Sequence, residues 1–223
     1  MNRLPHTRFI PALLLCLAGS FTSQRADATI DISPKEVQIR NAPLSVHIIN
    51  SGDRTEYVSI SLRLLKNPGV RIEEETLEAV ADIAQPALYA FPFQVTLAPG
   101  QSKKIVLKPV RAVDAETVYR LDIKPVIRPR TEDGTEKFKG VIINLSFSAL
   151  VRQLPPTETD TLKVVCVSDG AELIASGTVR HSITSLHVDG KSESGFNIYP
   201  GVPHKVTGHL VEVPGHPPCK SGR

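Results

Sequence analysis

The sequence predicts an all-β protein of two sandwich domains in series, the second one short. Three observations carry this expectation. Apolar and polar residues alternate in short runs through most of the chain after residue 28. Turn-forming clusters separate those runs. A proline-rich stretch around residue 155 divides the chain into a long part and a short one.

The leader comes first because it is expected to be removed. Arg3 and Arg8 supply a positive start, and Phe9 to Phe21 is apolar but too short to cross a bilayer as a stable helix. Ala26-Asp27-Ala28 is a small-x-small cleavage site, so residues 1–28 read as a signal peptide and the mature chain starts near Thr29. An uncleaved anchor is the alternative; the polar stretch from Ser20 to Arg25 and the cleavage site speak against it. Cys16 follows three leucines rather than a small residue, which argues against lipidation.

Residues 29–152 read as the first domain. Thr29 to Ser33 alternates, and Ser45 to Ile49 ends at the turn cluster Asn50-Ser51-Gly52-Asp53. Tyr57 to Leu65 alternates and stops at Asn67-Pro68-Gly69. Phe93 to Leu97 precedes Ala98-Pro99-Gly100, after which Lys104 to Leu107 resumes as a strand. Tyr119 to Ile123 alternates, Glu132 to Thr135 is a turn, and Val141 to Val151 is the longest strand-like run. Seven such strands with turns between them are the pattern of an immunoglobulin-like sandwich. Glu73 to Ala84, with Leu77, Val80 and Ala81 at helical spacing, fits a short helix or an irregular loop alike.

Residues 153–160 carry Pro155 and Pro156, which cannot continue a central strand, and are expected to form a linker. A second β-rich segment, residues 161–223, has turns at Ser168-Asp169-Gly170, Asp189-Gly190 and Tyr199-Pro200-Gly201. It is short for a complete sandwich, and Pro214 to Arg223 is expected to be loose.

Three arginines and one aspartate leave with the leader, so the mature net charge falls from +3 to about +1. Nothing in the charge pattern supports a nucleic-acid partner, which needs a clustered basic face. Export leaves two cysteines, Cys166 and Cys219. An even count in an oxidising compartment makes a disulfide between them the leading expectation; two free thiols or an intermolecular bridge are the alternatives.

Enzyme chemistry needs grouped acids, bases or nucleophiles. His47, His181, His187, His204, His209 and His216 fall at no zinc-ligand spacing, and no G-x-S-x-G elbow, phosphate loop or dinucleotide fingerprint is present. No catalysis, metal, cofactor or small-molecule substrate is therefore expected. The informative run is the one before the linker. Val141, Ile143, Leu145 and Phe147 form one apolar stripe on a strand, with Asn144, Ser146 and Ser148 opposite. On composition alone, such a stripe packs on the domain's own core.

A set of segments in order changes that reading. They are Ile32 to Val37, Lys66-Asn67-Pro68-Gly69, Phe93 to Lys103, Glu116 to Leu121, and Phe147 to Pro155, with a weaker match at Asn197-Ile198-Tyr199-Pro200. On these the chain resembles the periplasmic pilus-assembly chaperones of the PapD-like superfamily, and within it the branch serving colonisation-factor, alpha-type fimbriae.

The resemblance implies two immunoglobulin-like domains and a strand lent to an unfinished pilin by β-augmentation, in which backbone bonds hold the strand and alternate side chains fill pockets. Val141, Ile143 and Leu145 match the donor positions; Phe147 is a fourth, or packs near the domain junction instead. It also implies basic residues that hold the pilin's C-terminal carboxylate. Lys35 matches one, unless it is an ordinary solvated lysine. The usual lysine of the second position is Ser148 here, which leaves Arg152 as the nearest base, either an anchor or half of an interdomain salt bridge. The implied partners are pilin subunits and an outer-membrane usher, and the implied compartment is the periplasm. The rival reading is a secreted pilus subunit or adhesin of sandwich type. A free apolar N-terminal extension would mark a pilin, and Pro34 and Lys35 interrupt the start of this chain.

Overall fold

The computed structural model describes residues 29–126 and 145–221. The leader, and Val141 and Ile143 of the apolar stripe, lie outside the described residues.

Ten strands build the long part: β1 (Ile30–Ser33), β2 (Glu36–Ile39), β3 (Leu44–Asn50), β4 (Glu56–Leu65), β5 (Leu77–Ala79), β6 (Leu88–Phe91), β7 (Gln94–Leu97), β8 (Ser102–Pro109), β9 (Thr117–Pro125) and β10 (Phe147–Gln153). They form two sheets. One has the order β1-β3-β8-β6; the other has the order β2-β10-β9-β4-β5, with β7 also paired to β4. Every run read as a strand from the sequence contains one, but the run before the linker becomes a strand only at Phe147, and the described residues Leu145 and Ser146 lie outside it. Three more were not foreseen: β2, β5 and β6, each three or four residues long, too short for alternation to stand out.

Alternation decides what each strand buries. Ile30 and Ile32 point inward while Asp31 and Ser33 stay exposed; Val58, Ile60 and Leu62 do the same from β4. Together with Ile48, Leu88, Ile105, Leu107, Leu121 and Ile123 they close a core of twenty buried residues between the sheets. Pro34 separates β1 from β2, so the first strand starts in one sheet and continues in the other.

The stretch Glu73 to Ala84 is not a helix. It contains 3-10 turns at Ile72–Glu74 and Val80–Asp82 around β5, and neither turn has a side-chain cap. The helical spacing of Leu77 and Val80 loses to the sheet: Leu77 pairs with Leu65, and Val80 drops into the core. A few residues cannot repay the nucleation of a helix when an edge pairing is on offer.

The short part holds β11 (Leu162–Val167), β12 (Gly170–Ala175), β13 (His181–Ile183), β14 (His187–Val188), β15 (Lys191–Ser192), β16 (Phe196–Ile198), β17 (His204–Thr207), β18 (Leu210–Glu212) and β19 (Cys219–Lys220). They make three small sheets, β11-β12-β17, β13-β16 and β15-β14-β18-β19. Their core has ten buried residues, half the number of the first. Cys166 and Cys219 are bonded, which ties β19 to β11 across a sequence separation of 53. The end of the chain is thus held at Cys219 rather than loose throughout. The architecture is all-β, two sandwich-type cores with no α-helix among the described residues, and no helix there is long and apolar enough to cross a membrane.

Candidate functional site

The strand that carries the stripe is half covered. β10 lies between β9 and β2, but it pairs with β9 over Phe147–Gln153 and with β2 only over Leu150–Gln153. The last bond on the β2 side runs from the Leu150 N–H to the Lys35 carbonyl at 2.8 Å. Before that point, among the described residues, no strand covers the outer edge of Phe147, Ser148 and Ala149. An uncovered edge offers its N–H and C=O groups to another strand.

The stripe residues that are described differ from one another. Leu145 is 50% exposed. Phe147 is partly buried and packs against the first core, because it shares a face with the buried Ala149 and Val151. Ser148 is exposed on the opposite face, across from Asp122, whose carboxylate is bound by Arg63.

Lys35 stands at the lip of this open edge. Its side chain is 74% exposed, with the ammonium 3.9 Å from Asp31. Arg152 is different. It is buried, and its Nε and Nη2 donate to the two oxygens of Glu116 at 2.5 and 3.0 Å. Burial by itself would lower its pKa, but the Glu116 hydrogen bonds and charge more than offset that and raise it.

Sequence reasoning did not foresee what surrounds this pair. Glu116 also accepts the backbone N–H of Arg180 at 2.9 Å, and its own N–H donates to the Thr178 carbonyl at 2.8 Å. Glu36, on β2, lies 3.4 Å from Arg152 Nη1 and 3.3 Å from Arg180 Nη2. Arg180 further donates to the Tyr199 hydroxyl at 3.1 Å and lies over its ring. Residues from both parts of the chain thus meet in one charged cluster of two arginines and two glutamates.

An apolar patch lies beside it, where Leu65 and Val118 pack on the buried Tyr199, with Leu77 and Leu150 at the rim. Gly69 approaches the same place with φ +98, and a Cβ there would stand 2.9 Å from the Asn197 carbonyl. The segment Lys66-Asn67-Pro68-Gly69 therefore ends in glycine for a physical reason. Arg120, on β9, is held by Glu75, which lies between the 3-10 turn Ile72–Glu74 and β5.

Comparison with known proteins fits this geometry. No family model matches the chain. A protein of Escherichia coli that bears the name of a CS1 fimbrial subunit is 28% identical over 182 residues, spanning 75% of this chain and 74% of that one. Another from the same organism, which bears the name of a CFA/I fimbrial subunit, is 27% identical over 146 residues, 62% of this chain and 59% of that one.

Among solved structures, the class 5 fimbriae chaperone CfaA superposes with a TM-score of 0.67 at 20% identity, covering 84% of this chain and 93% of that one. A chain from a chaperone–tip adhesin complex of CFA/I fimbriae superposes with a TM-score of 0.67 at 21% identity, covering 87% and 99%. The Escherichia coli chaperone DraB does so at 0.55 and 14% identity, covering 86% and 93%. The chain thus has the fold of these solved fimbrial chaperones, in line with the fold that the resemblance in the sequence implied.

Proposed function

We propose that the protein is a periplasmic chaperone that holds pilus subunits by lending them a strand and hands them to an outer-membrane usher. The observation that carries the reading is the open outer edge of β10 before Leu150, continuous with an apolar stripe. A pilin that lacks its last strand could pair along that edge and take Leu145, and beyond it Ile143 and Val141, into its own groove. Phe147 belongs to the chaperone's core and ends the lent stripe. Lys35, at the lip, offers a cation to the end of the paired strand. No covalent step is involved: binding completes the pilin's fold and covers an edge that would otherwise aggregate.

A second reading has an observation behind it. The two sequence relatives bear the names of fimbrial subunits, and a secreted pilin would be a sandwich too. Against it stands the first sandwich, in which β10 already fills the place beside β9.

The test is a recovery experiment. Tagged full-length chain, expressed with its fimbrial neighbours and released from the periplasm, is expected to carry a stoichiometric pilin. Leu145→Asp is expected to lose that pilin at an unchanged thermal midpoint. Wild-type chain recovered alone would count against the chaperone, and chain recovered as polymers of itself would establish the pilin reading.

A further inference from the structure

The Cys166–Cys219 bond is unequal at its two ends. Cys166 is exposed on β11, which pairs only with β12 among the described residues. Cys219 is 1% exposed and belongs to the second core, with Ala171, Leu186 and Val211. Its strand, β19, is two residues long and is held to β18 by two register pairs, Leu210 with Lys220 and Val211 with Cys219. Among the described residues no strand pairing joins the sheet of β11 to the sheet of β19. The disulfide therefore bridges two sheets from an open edge on one side to a covered position on the other.

A disulfide is made and broken by exchange: a thiolate bonds to one sulfur and the other leaves as a thiolate. In the folded chain both directions are hindered. Attack on Cys166 expels the Cys219 thiolate into an apolar core, where burial disfavours the charged form. Attack on Cys219 would expel the Cys166 thiolate toward water, but Cys219 is covered. Exchange therefore belongs to the state in which β19 is not yet docked. The two cysteines differ there too. A protein bonded to Cys219 would have to enter the core with it, so β19 could not dock. A protein bonded to Cys166 stays outside while β19 arrives. We infer that the bond is installed from Cys166. The partner is a dithiol oxidoreductase in its disulfide form, Cys166 is the residue it modifies, and Cys219 is the resolving thiol. The Cys166 thiolate attacks the partner's disulfide, forms a mixed disulfide and releases one of the partner's two thiolates. As β19 docks on β18, the Cys219 thiolate attacks the Cys166 sulfur and the partner's second thiolate leaves. Two cysteines of the chain are oxidised, one disulfide of the partner is reduced, and the two thiol protons end on the partner's thiolates. Closure needs β19 in place, so the bond seals a second core that is already assembled, and burial then withdraws Cys219 from exchange. None of this rests on the chaperone reading.

The experiment uses the full chain recovered after export, with glutathione as the probe. Oxidised glutathione is applied to Cys219→Ala and to Cys166→Ala, each with one remaining thiol, in buffer and in urea. In buffer Cys166 is expected to take up glutathione about tenfold faster than Cys219, because only Cys166 is accessible. In urea the two rates should converge. The second arm uses the wild-type chain, reduced and opened in urea, with glutathione placed on one cysteine and the two single adducts separated in acid. On transfer to buffer, the Cys166 adduct is expected to close to the native bond about tenfold faster than the Cys219 adduct. This arm decides the matter even if the single variants do not fold their second core, in which case their rates in buffer equal those in urea.

Equal or faster closure from the Cys219 adduct overturns the inference. So does faster uptake by Cys219 than by Cys166 in folded variants.

Discussion

At the scale of single residues, burial and partner count separate the two bases that the resemblance brought forward. Lys35 has one distant acidic neighbour and is mostly in water, so its ion pair with Asp31 adds little stability. Its replacement by alanine should leave the unfolding midpoint in place and lower pilin capture. Arg152 is the opposite case. Glu116 has a fully buried side chain, and Arg152 is its main counter-charge. Arg152→Ala strands that carboxylate and should cost about 3–5 kcal/mol in urea unfolding, as breaking a buried pair does. The double change Arg152→Met with Glu116→Leu should cost clearly less, because no charge is left behind. Equal losses in the single and double variants would show that shape, not charge, is what the pair supplies. The sequence could offer Arg152 as an anchor because it lies on the right strand. It also offered a salt bridge for Arg152, but could not show that the partner is Glu116, 36 residues away.

At the scale of elements, one apolar run does two jobs, and the boundary falls between Leu145, which precedes β10, and Phe147, which begins it. Both belong to the same alternating stripe, so the sequence alone gives them one role. The difference is made by length: β10 pairs with β9 from Phe147 onward, and the sandwich has core to cover only there. Phe147→Ser should therefore destabilise the first domain by about 1–3 kcal/mol, while Leu145→Ser leaves its midpoint unchanged; denaturant titration of the two variants decides. The long alternating strands were legible because each buries one face against a single core. The short ones, β2, β5 and β6, were not, because three or four residues carry too little pattern to separate a strand from a loop. The short part of the chain has its own weak points. His204 stacks on Phe196, and burial lowers its pKa. The unfolded chain thus binds a proton more readily than the folded one, so this contribution is complete above the unfolded value of about 6.5 and is lost as pH falls through the lower folded value. The midpoint of the second core should rise between acid and neutral pH, and His204→Phe should flatten that rise.

At the scale of the whole molecule, the two cores are unequal and depend on different things. The first has twenty buried residues between two sheets; the second has ten, spread over three small sheets. A core that small needs another source of stability, and the Cys166–Cys219 bond supplies it by closing a long loop. By chain entropy, a loop of that separation is worth about 4 kcal/mol, a large share of what a small domain has. Reduction, or Cys166→Ser with Cys219→Ser, should lower the midpoint of the second core far more than that of the first. What joins the two cores is the junction at Tyr199, whose ring is buried against Leu65 and Val118 and whose hydroxyl holds Arg180. Removing that side chain takes away apolar contact and the partner of a cation at once, yet touches neither core's interior. Tyr199→Ala should therefore leave each core able to fold but uncouple them. Calorimetry of the wild type should show the second core stabilised by its attachment to the first. In Tyr199→Ala two separate transitions should appear, the upper one unchanged and the lower one shifted down. A single undivided transition would mean that the charged cluster alone holds the junction, and that the ring of Tyr199 only fills space.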